Sequence, residues 1–387
     1  MTKPRLTSAL VVVLLALTSG YEALAQTPPL TPGTVTNVSA AMTCPSDFSS
    51  TMTATGTKHC HTAVLHCGAQ GANVPDINLT FGVEGPSTAS TVVFFSGGPG
   101  SLSDSDINQY VDNYFSPPNN FQVVQIDWAT TGWGFTVANS NANVLNAACR
   151  PAGFLKFVHD NLFHPGGTAG MCAQGISAGS AQVAYSLSWY GATLDNVELI
   201  AGPPLADIKT GCQGSAQPLT ICGGSQPECV GWPAGGTLYS DARYETTYGI
   251  HQPELVQISE DTGTLEANGN ASCEDPNSTV QSQDDPIWAA QGVAQPAIQN
   301  TSLAHTSMGA WLCASTTRTA NNSSPEGWLY YNTVAGSPAQ NLPTPFKVNA
   351  IYSCSGAEGE SGGQTVNGVS GRTAIENDMV GSCKHHP

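Results

Sequence analysis

The sequence is poor in charge, and above all in positive charge. Of 387 residues only 10% are charged, with 11 Lys and Arg against 28 Asp and Glu, a formal net charge of −17. Nucleic acids and anionic membrane surfaces are bound by clusters of basic residues. Eleven cations spread thinly along such a chain form no such cluster, so neither is expected as a partner. A polyanionic substrate is disfavoured on the same ground. The sequence lacks Cys-x-x-Cys, a dinucleotide-binding glycine signature, His-Glu-x-x-His and a calcium loop. No cofactor and no metal are therefore expected. His59, Cys60, His61, His66 and Cys67 form the only Cys/His cluster. It lies on an apparent edge strand and reads as a local disulfide rather than a zinc site. Past the N-terminus there is no apolar run of membrane length.

What the chain does have begins with a targeting segment. Lys3 and Arg5 precede an apolar stretch from Leu6 to Leu17, and Ala23-Leu24-Ala25 is a small-x-small cleavage signature. Residues 1–25 read as a signal peptide. Its removal takes away Lys3, Arg5 and Glu22 and leaves the mature chain more negative by one unit. The expected product is secreted or periplasmic and not held in a membrane. All 12 cysteines lie beyond residue 25, an even number, as expected of disulfides formed in an oxidising compartment.

Alternating buried strands and helices follow. Strands are expected at 61–67, 77–83, 91–96, 121–128, 171–176, 197–201 and 348–354, and helices at 143–159 (broken by Pro151), 180–190 and 373–380. The runs TVVFF and FQVVQIDW are continuously apolar, as in strands covered on both faces. Such alternation predicts an α/β fold with a mostly parallel sheet and helices on both faces. Residues 26–43 read as a linker. Residues 44–208 and 346–387 read as the two parts of the core, and 209–345, rich in Gly, Pro, Ser and Asn, as a lid or insertion with disulfides.

Gly175-Ile176-Ser177-Ala178-Gly179 lies between a short apolar strand and a helix. A Gly-x-Ser-x-Gly in that context puts serine on a sharp turn at a helix N-terminus, where the dipole favours a developing anion. Some 80 residues earlier, Gly97-Gly98-Pro99-Gly100 ends a buried strand. Glycines there let backbone N–H groups approach a tetrahedral oxyanion. Ser177 is thus the expected nucleophile. Gly98 and Ala178 are the expected oxyanion donors, with Gly97 and Gly100 beside the substrate. Trp128 and Trp133, just past a strand end, either pack beneath a loop or form an apolar wall of the substrate site.

In this order, SGGPG after TVVFF, Asp127-Trp128 with Gly132-Trp133-Gly134, then GISAG, resemble the α/β-hydrolase superfamily. The GGPG layout resembles its proline-iminopeptidase-like secreted peptidases. Two residues depart from those peptidases: Ala178 stands where they carry an aromatic, and Trp128-Ala129-Thr130 where they carry Arg-x-Gly. Ser-Ala-Gly resembles the esterases more. The resemblance implies the α/β-hydrolase fold and a triad in the chain order Ser, acid, His. His385 and His386, after the last helix, are then the expected base, with His386 preferred. His251 and His305 fall in the irregular stretch. The expected acid is Glu358 or Glu360, past the strand at 348–354, with Asp207 as alternative. The implied fold also suggests Cys149–Cys172 and Cys354–Cys383 as disulfides, the latter anchoring the terminal histidines. The activity implied is hydrolysis of a small or polymeric carboxylic ester. The alternatives are a secreted serine aminopeptidase, or a binding protein on a hydrolase scaffold.

Overall fold

A computed structural model describes residues 29–203 (less 55, 71–73, 99, 101, 103–104, 129–131 and 135–143). It also describes 219–220, 229–230, 237–238, 306–314, 330, 346–352, 365–366 and 369–384. A ten-stranded mixed sheet organises the chain. Its strands are β1 Thr34–Thr36, β2 Cys60–His66, β3 Ile77–Glu84, β4 Thr91–Phe95, β5 Gln122–Asp127, β6 Met171–Ile176 and β7 Asn196–Ile200. The last three are β8 Cys229–Val230, β9 Ser307–Ala314 and β10 Phe346–Tyr352. The spatial order is β1-β2-β3-β5-β4-β6-β7-β9-β10-β8. The pairs β1/β2, β2/β3 and β3/β5 are antiparallel, and every pair from β5 onward is parallel.

The strand sequences explain this split. β2 and β3 alternate buried and exposed residues, as antiparallel edge strands with one wet face do. β4, β6 and β7 are buried throughout. Their successive side chains point to opposite faces and feed two separate cores. Val93, Phe95, Ala173 and Val197 join one core, with helices α3 (Cys149–Asn161) and α4 (Ala178–Ser188). Val92, Phe94, Cys172 and Ile200 join the other, with α1 (Ser105–Phe115) and α5 (Gly371–Ser382). The short helix α2 (Val144–Ala147) precedes α3.

Several expectations need correction. The helix expected at 143–159 does break, but at Ala148. Pro151 sits inside the first turn of α3, where a missing N–H costs nothing. The linker contains β1, which pairs with β2. The insertion contributes β8 and β9 to the main sheet, β9 lying between β7 and β10. The sequence SMGAWLCA hides that strand because its small residue is imposed by a neighbour. A Cβ on Gly309 would lie 2.0 Å from the buried Glu198 carboxylate, which also accepts a 2.5 Å bond from Trp311 Nε1. Helix α1 was not foreseen, although Ile107, Tyr110, Val111 and Tyr114 are all buried at the i, i+3, i+4, i+7 spacing.

The disulfides also differ from expectation. They join Cys44 to Cys60, Cys67 to Cys149 and Cys172 to Cys383. The Cys60–Cys67 and Cys149–Cys172 pairings are excluded, and Cys383 is not joined to Cys354, which lies outside the described residues. The reason is topological. Cys172 stands at the start of β6 facing the α1/α5 core, and the end of α5 lands on it, whereas Cys149 starts α3 on the other face. Among the described residues no helix is long and apolar enough to cross a membrane.

Cys172–Cys383 closes a separation of 211 residues. Cross-links of that span restrict the unfolded chain most, an effect of roughly 3–5 kcal/mol. Cys383→Ser should lower the urea midpoint of the mature protein, and Cys172→Ser should lower it by the same amount. Reductant should remove the difference between wild type and either variant.

Candidate active site

Ser177 lies between the end of β6 and the start of α4, as its N-cap residue. Its backbone is at φ 53, ψ −122, a conformation few non-glycine residues adopt. Such a residue stores ~1–3 kcal/mol and persists only where its surroundings impose it. They do so here through contacts that admit no side chain. A Cβ on Gly175 would stand 2.4 Å from the backbone of Gly179, and one on Gly179 would stand 2.0 Å from the carbonyl oxygen of Phe95. Both flanking glycines are therefore obligatory: strand, helix and the end of β4 meet backbone to backbone. The turn is fixed further by Ser177 N–H donating to Ile200 O (2.8 Å) and Ser180 Oγ donating to Ser177 O (2.5 Å). Ser177 is 2% exposed.

The glycine loop lies alongside. Phe95 is in register with Gly175, so residues 96–98 leave the sheet next to the elbow. Gly100 N–H donates to Gly97 O (3.0 Å), closing a tight turn in which Gly98 has φ +55. Gly100, at φ +89, packs directly on the Trp128 indole, 2.2 Å from where its Cβ would be. Ala178 opens α4, and the first N–H groups of a helix lack intrahelical acceptors. The sheet edge at Ser177 thus gathers a strained serine, a helix N-terminus and a loop of glycine amides.

Trp128 packs beneath the glycine loop, against Gly100. Trp128 and Trp133 are both fully buried in the α3/α4 core. Arg150, also buried, donates from Nη1 to Trp133 O (2.6 Å) and from Nη2 to Pro75 O (2.7 Å). Burial pulls its pKa down to about 10, against the pull of Asp76.

Asp207, Glu358, Glu360, His385 and His386 lie outside the described residues. The chain around them is informative. β7 and β10 run parallel to β6, so the segments toward Asp207 and toward Glu358 and Glu360 leave the sheet at the Ser177 edge. The C-terminus does not. Cys383 is bonded to Cys172, Ser90 Oγ donates to Cys383 O (2.9 Å), and Lys384 bridges to Ala169. Lys384 is therefore held at the opposite edge, before β6 begins. From Met171 to Ser177 the strand covers ~20 Å at ~3.3 Å per residue. His385 and His386, the expected base, follow Lys384 outside the described residues.

No known family model matches the chain, and no curated protein matches it in sequence. Some solved structures do resemble it. They include an acetyl xylan esterase from Paenibacillus sp. R4 (12% identity, 90% of each chain covered, TM-score 0.44). An esterase from Pyrobaculum calidifontis (15% identity, 80% of each chain, TM-score 0.39) is another. A third is the acylaminoacyl peptidase from Pyrococcus horikoshii (10% identity, 79% of this chain and 39% of that one, TM-score 0.39). The strand order and the elbow decide the architecture. The chain has the α/β-hydrolase fold.

Gly179→Ala tests the elbow. Its methyl must displace the Phe95 carbonyl, so the variant should lose ~2–4 kcal/mol of stability, read by denaturant unfolding. Gly98→Ala tests the other conformational requirement. No atom lies within 4 Å of its Cβ position, so the cost there is only that of the positive φ, ~1 kcal/mol.

Proposed function

We propose that the chain is a secreted serine hydrolase that cleaves carboxylic esters through an acyl-enzyme on Ser177. The observation that carries this reading is the strained backbone of Ser177 at a helix N-terminus, beside the turn at Gly97–Gly100. Strain at a nucleophile is what aims a hydroxyl out of a sheet edge toward bound substrate. Gly98 and Ala178 supply the N–H groups that hold the oxyanion. The three disulfides among the described residues and the signal-like N-terminus support export.

A serine needs a base, and the positions of the other histidines narrow the choice. His61 and His66 belong to β2, four strands from β6 and so ~19 Å away at ~4.8 Å per strand. His59 pairs with Glu84 (2.9 Å) and His159 with Asp160 (2.9 Å). His164 N–H donates to Ser87 O ahead of β4. His305 directly precedes Thr306, whose hydroxyl bonds Leu194 O at the edge far from Ser177. His251, His385 and His386 lie outside the described residues, and we assign the base to this group, His386 first by the chain order Ser, acid, His. The base takes the Ser177 proton, passes it to the leaving alcohol and then activates water. Asp207, Glu358 or Glu360 orients it, since each follows a strand that ends at the Ser177 edge.

One observation favours a second reading, ligand binding without turnover. Lys384, the last described residue before the C-terminal histidines, bridges to Ala169 at the end of the sheet opposite Ser177.

Para-nitrophenyl esters of graded acyl length, with aminoacyl nitroanilides beside them, test these readings on the oxidised mature protein. Ser177→Ala and alanine at the base should each lower kcat at least ~1,000-fold, His386→Ala being made first. Alanine at the other two histidines of that group should stay within about twofold of wild type. Faster turnover of nitroanilides than of esters would make the enzyme a peptidase. A wild type inert to both, with Ser177 unlabelled by a fluorophosphonate, would leave the binding reading.

A further inference from the structure

Gln182 is buried one turn into α4, where an amide has no water to satisfy it. Its two ends point to different partners. Trp128 Nε1 donates to Gln182 Oε1 (2.6 Å), and Gln182 Nε2 donates to Ser96 O (3.3 Å). An indole N–H can only donate and a carbonyl can only accept, so these partners fix which end of the amide is which. The same indole lies under Gly100, and Trp128 N–H donates to Gly100 O (3.3 Å). The glycine loop is thereby gripped at both ends. Gln182 holds its first carbonyl, and Trp128 supports its last glycine from below. The grip is made from α4, the helix whose first residue is Ala178.

From this we propose that Gln182, linked to Trp128, is the positioning residue of the oxyanion hole. It rests on the reading of Ser177 as nucleophile. An oxyanion hole with donors on two separate segments works only if those segments keep a fixed distance. One donor here belongs to α4 and the other to the loop at 96–100. Glycines make that loop able to approach the substrate but also free to wander. The Gln182 amide ties the loop to the helix that carries the other donor, so both amides move as one body. A displacement of about 1 Å costs ~100-fold in rate, and loss of one oxyanion donor costs ~100–1,000-fold.

The test uses the oxidised mature protein with Gln182→Met, which keeps the volume and removes both bonds. Trp128→Phe keeps a ring under Gly100 and removes the indole donor. Two readouts are taken: ester kinetics, and hydrogen–deuterium exchange of peptides covering 96–102. The brace predicts a kcat lower by ~10–100-fold with KM within about twofold, and faster exchange of that loop, in each variant. It also predicts that the double variant is little worse than either single one, because both break the same chain of bonds. A change in KM alone, or kcat within twofold of wild type while Ser177→Ala is dead, overturns the brace and leaves the hydrolase standing. If wild type hydrolyses nothing, the hydrolase reading fails and exchange decides: faster exchange in the variants supports the brace, unchanged exchange overturns it. Should Gln182→Met fail to fold, Trp128→Phe carries the same comparison.

Discussion

The rest of the structure depends on one contact in which no side chain takes part. The first turn of α4 lies against the last residues of β4 and β6, with Gly179 on the Phe95 carbonyl and Gly175 on Gly179. That approach forces the left-handed backbone at Ser177, brings Ala178 to the sheet edge and places the glycine loop beside it. A larger residue at either glycine would push helix from sheet and dissolve all three arrangements together. The strain is affordable because α4 is buried along its whole length and β6 is buried at every position. Hydrophobic burial of that extent far exceeds a cost of a few kcal/mol.

The sheet has two ends with different duties. At one lies Ser177, where the parallel strands β4, β6, β7, β9 and β10 end. At the other, hydrogen bonds and a disulfide gather the chain's return. Met171 N–H donates to Asp195 Oδ2 (2.8 Å), and Ser307 N–H donates to Asp195 O (2.9 Å). Gly170 lies against the backbone of Lys384, and Cys383 is bonded to Cys172. Covalent anchoring of the C-terminus therefore supports the sheet rather than the reactive edge.

Some polar groups inside the two cores are partnered across elements. Tyr114 on α1 donates to Gln174 on β6 (2.9 Å). Glu198 on β7 takes bonds from Trp311 on β9 (2.5 Å) and from Asn196 (2.9 Å). Burial, helped by the nearby Glu198 charge, pushes the Tyr114 phenol well above its usual range, so it stays a donor. A buried polar group left alone costs more than its bond returns. Such pairs therefore fix which helix lies on which strand, a choice that apolar contacts leave open. The Trp128–Gln182–Ser96 chain is the same device applied at the reactive edge.

The sharp turn at Ser177 and the glycine loop were legible in the sequence because their steric demands are local. A sharp turn demands small residues at fixed spacing, and those residues stand next to one another in the chain. Strands buried on both faces were legible for the same reason, as continuous apolar runs. β9 was not, because Gly309 is small on account of Glu198, 111 residues earlier, and nothing in SMGAWLCA announces that neighbour. The disulfide partners and the end of the sheet that receives Lys384 were also closed to the sequence. Distance along the chain says nothing of which face of a sheet a cysteine reaches, or at which end a helix terminates. Those depend on strand order and helix direction. Local steric demand is written residue by residue, whereas the edge at which a side chain arrives is decided only when the whole sheet is assembled.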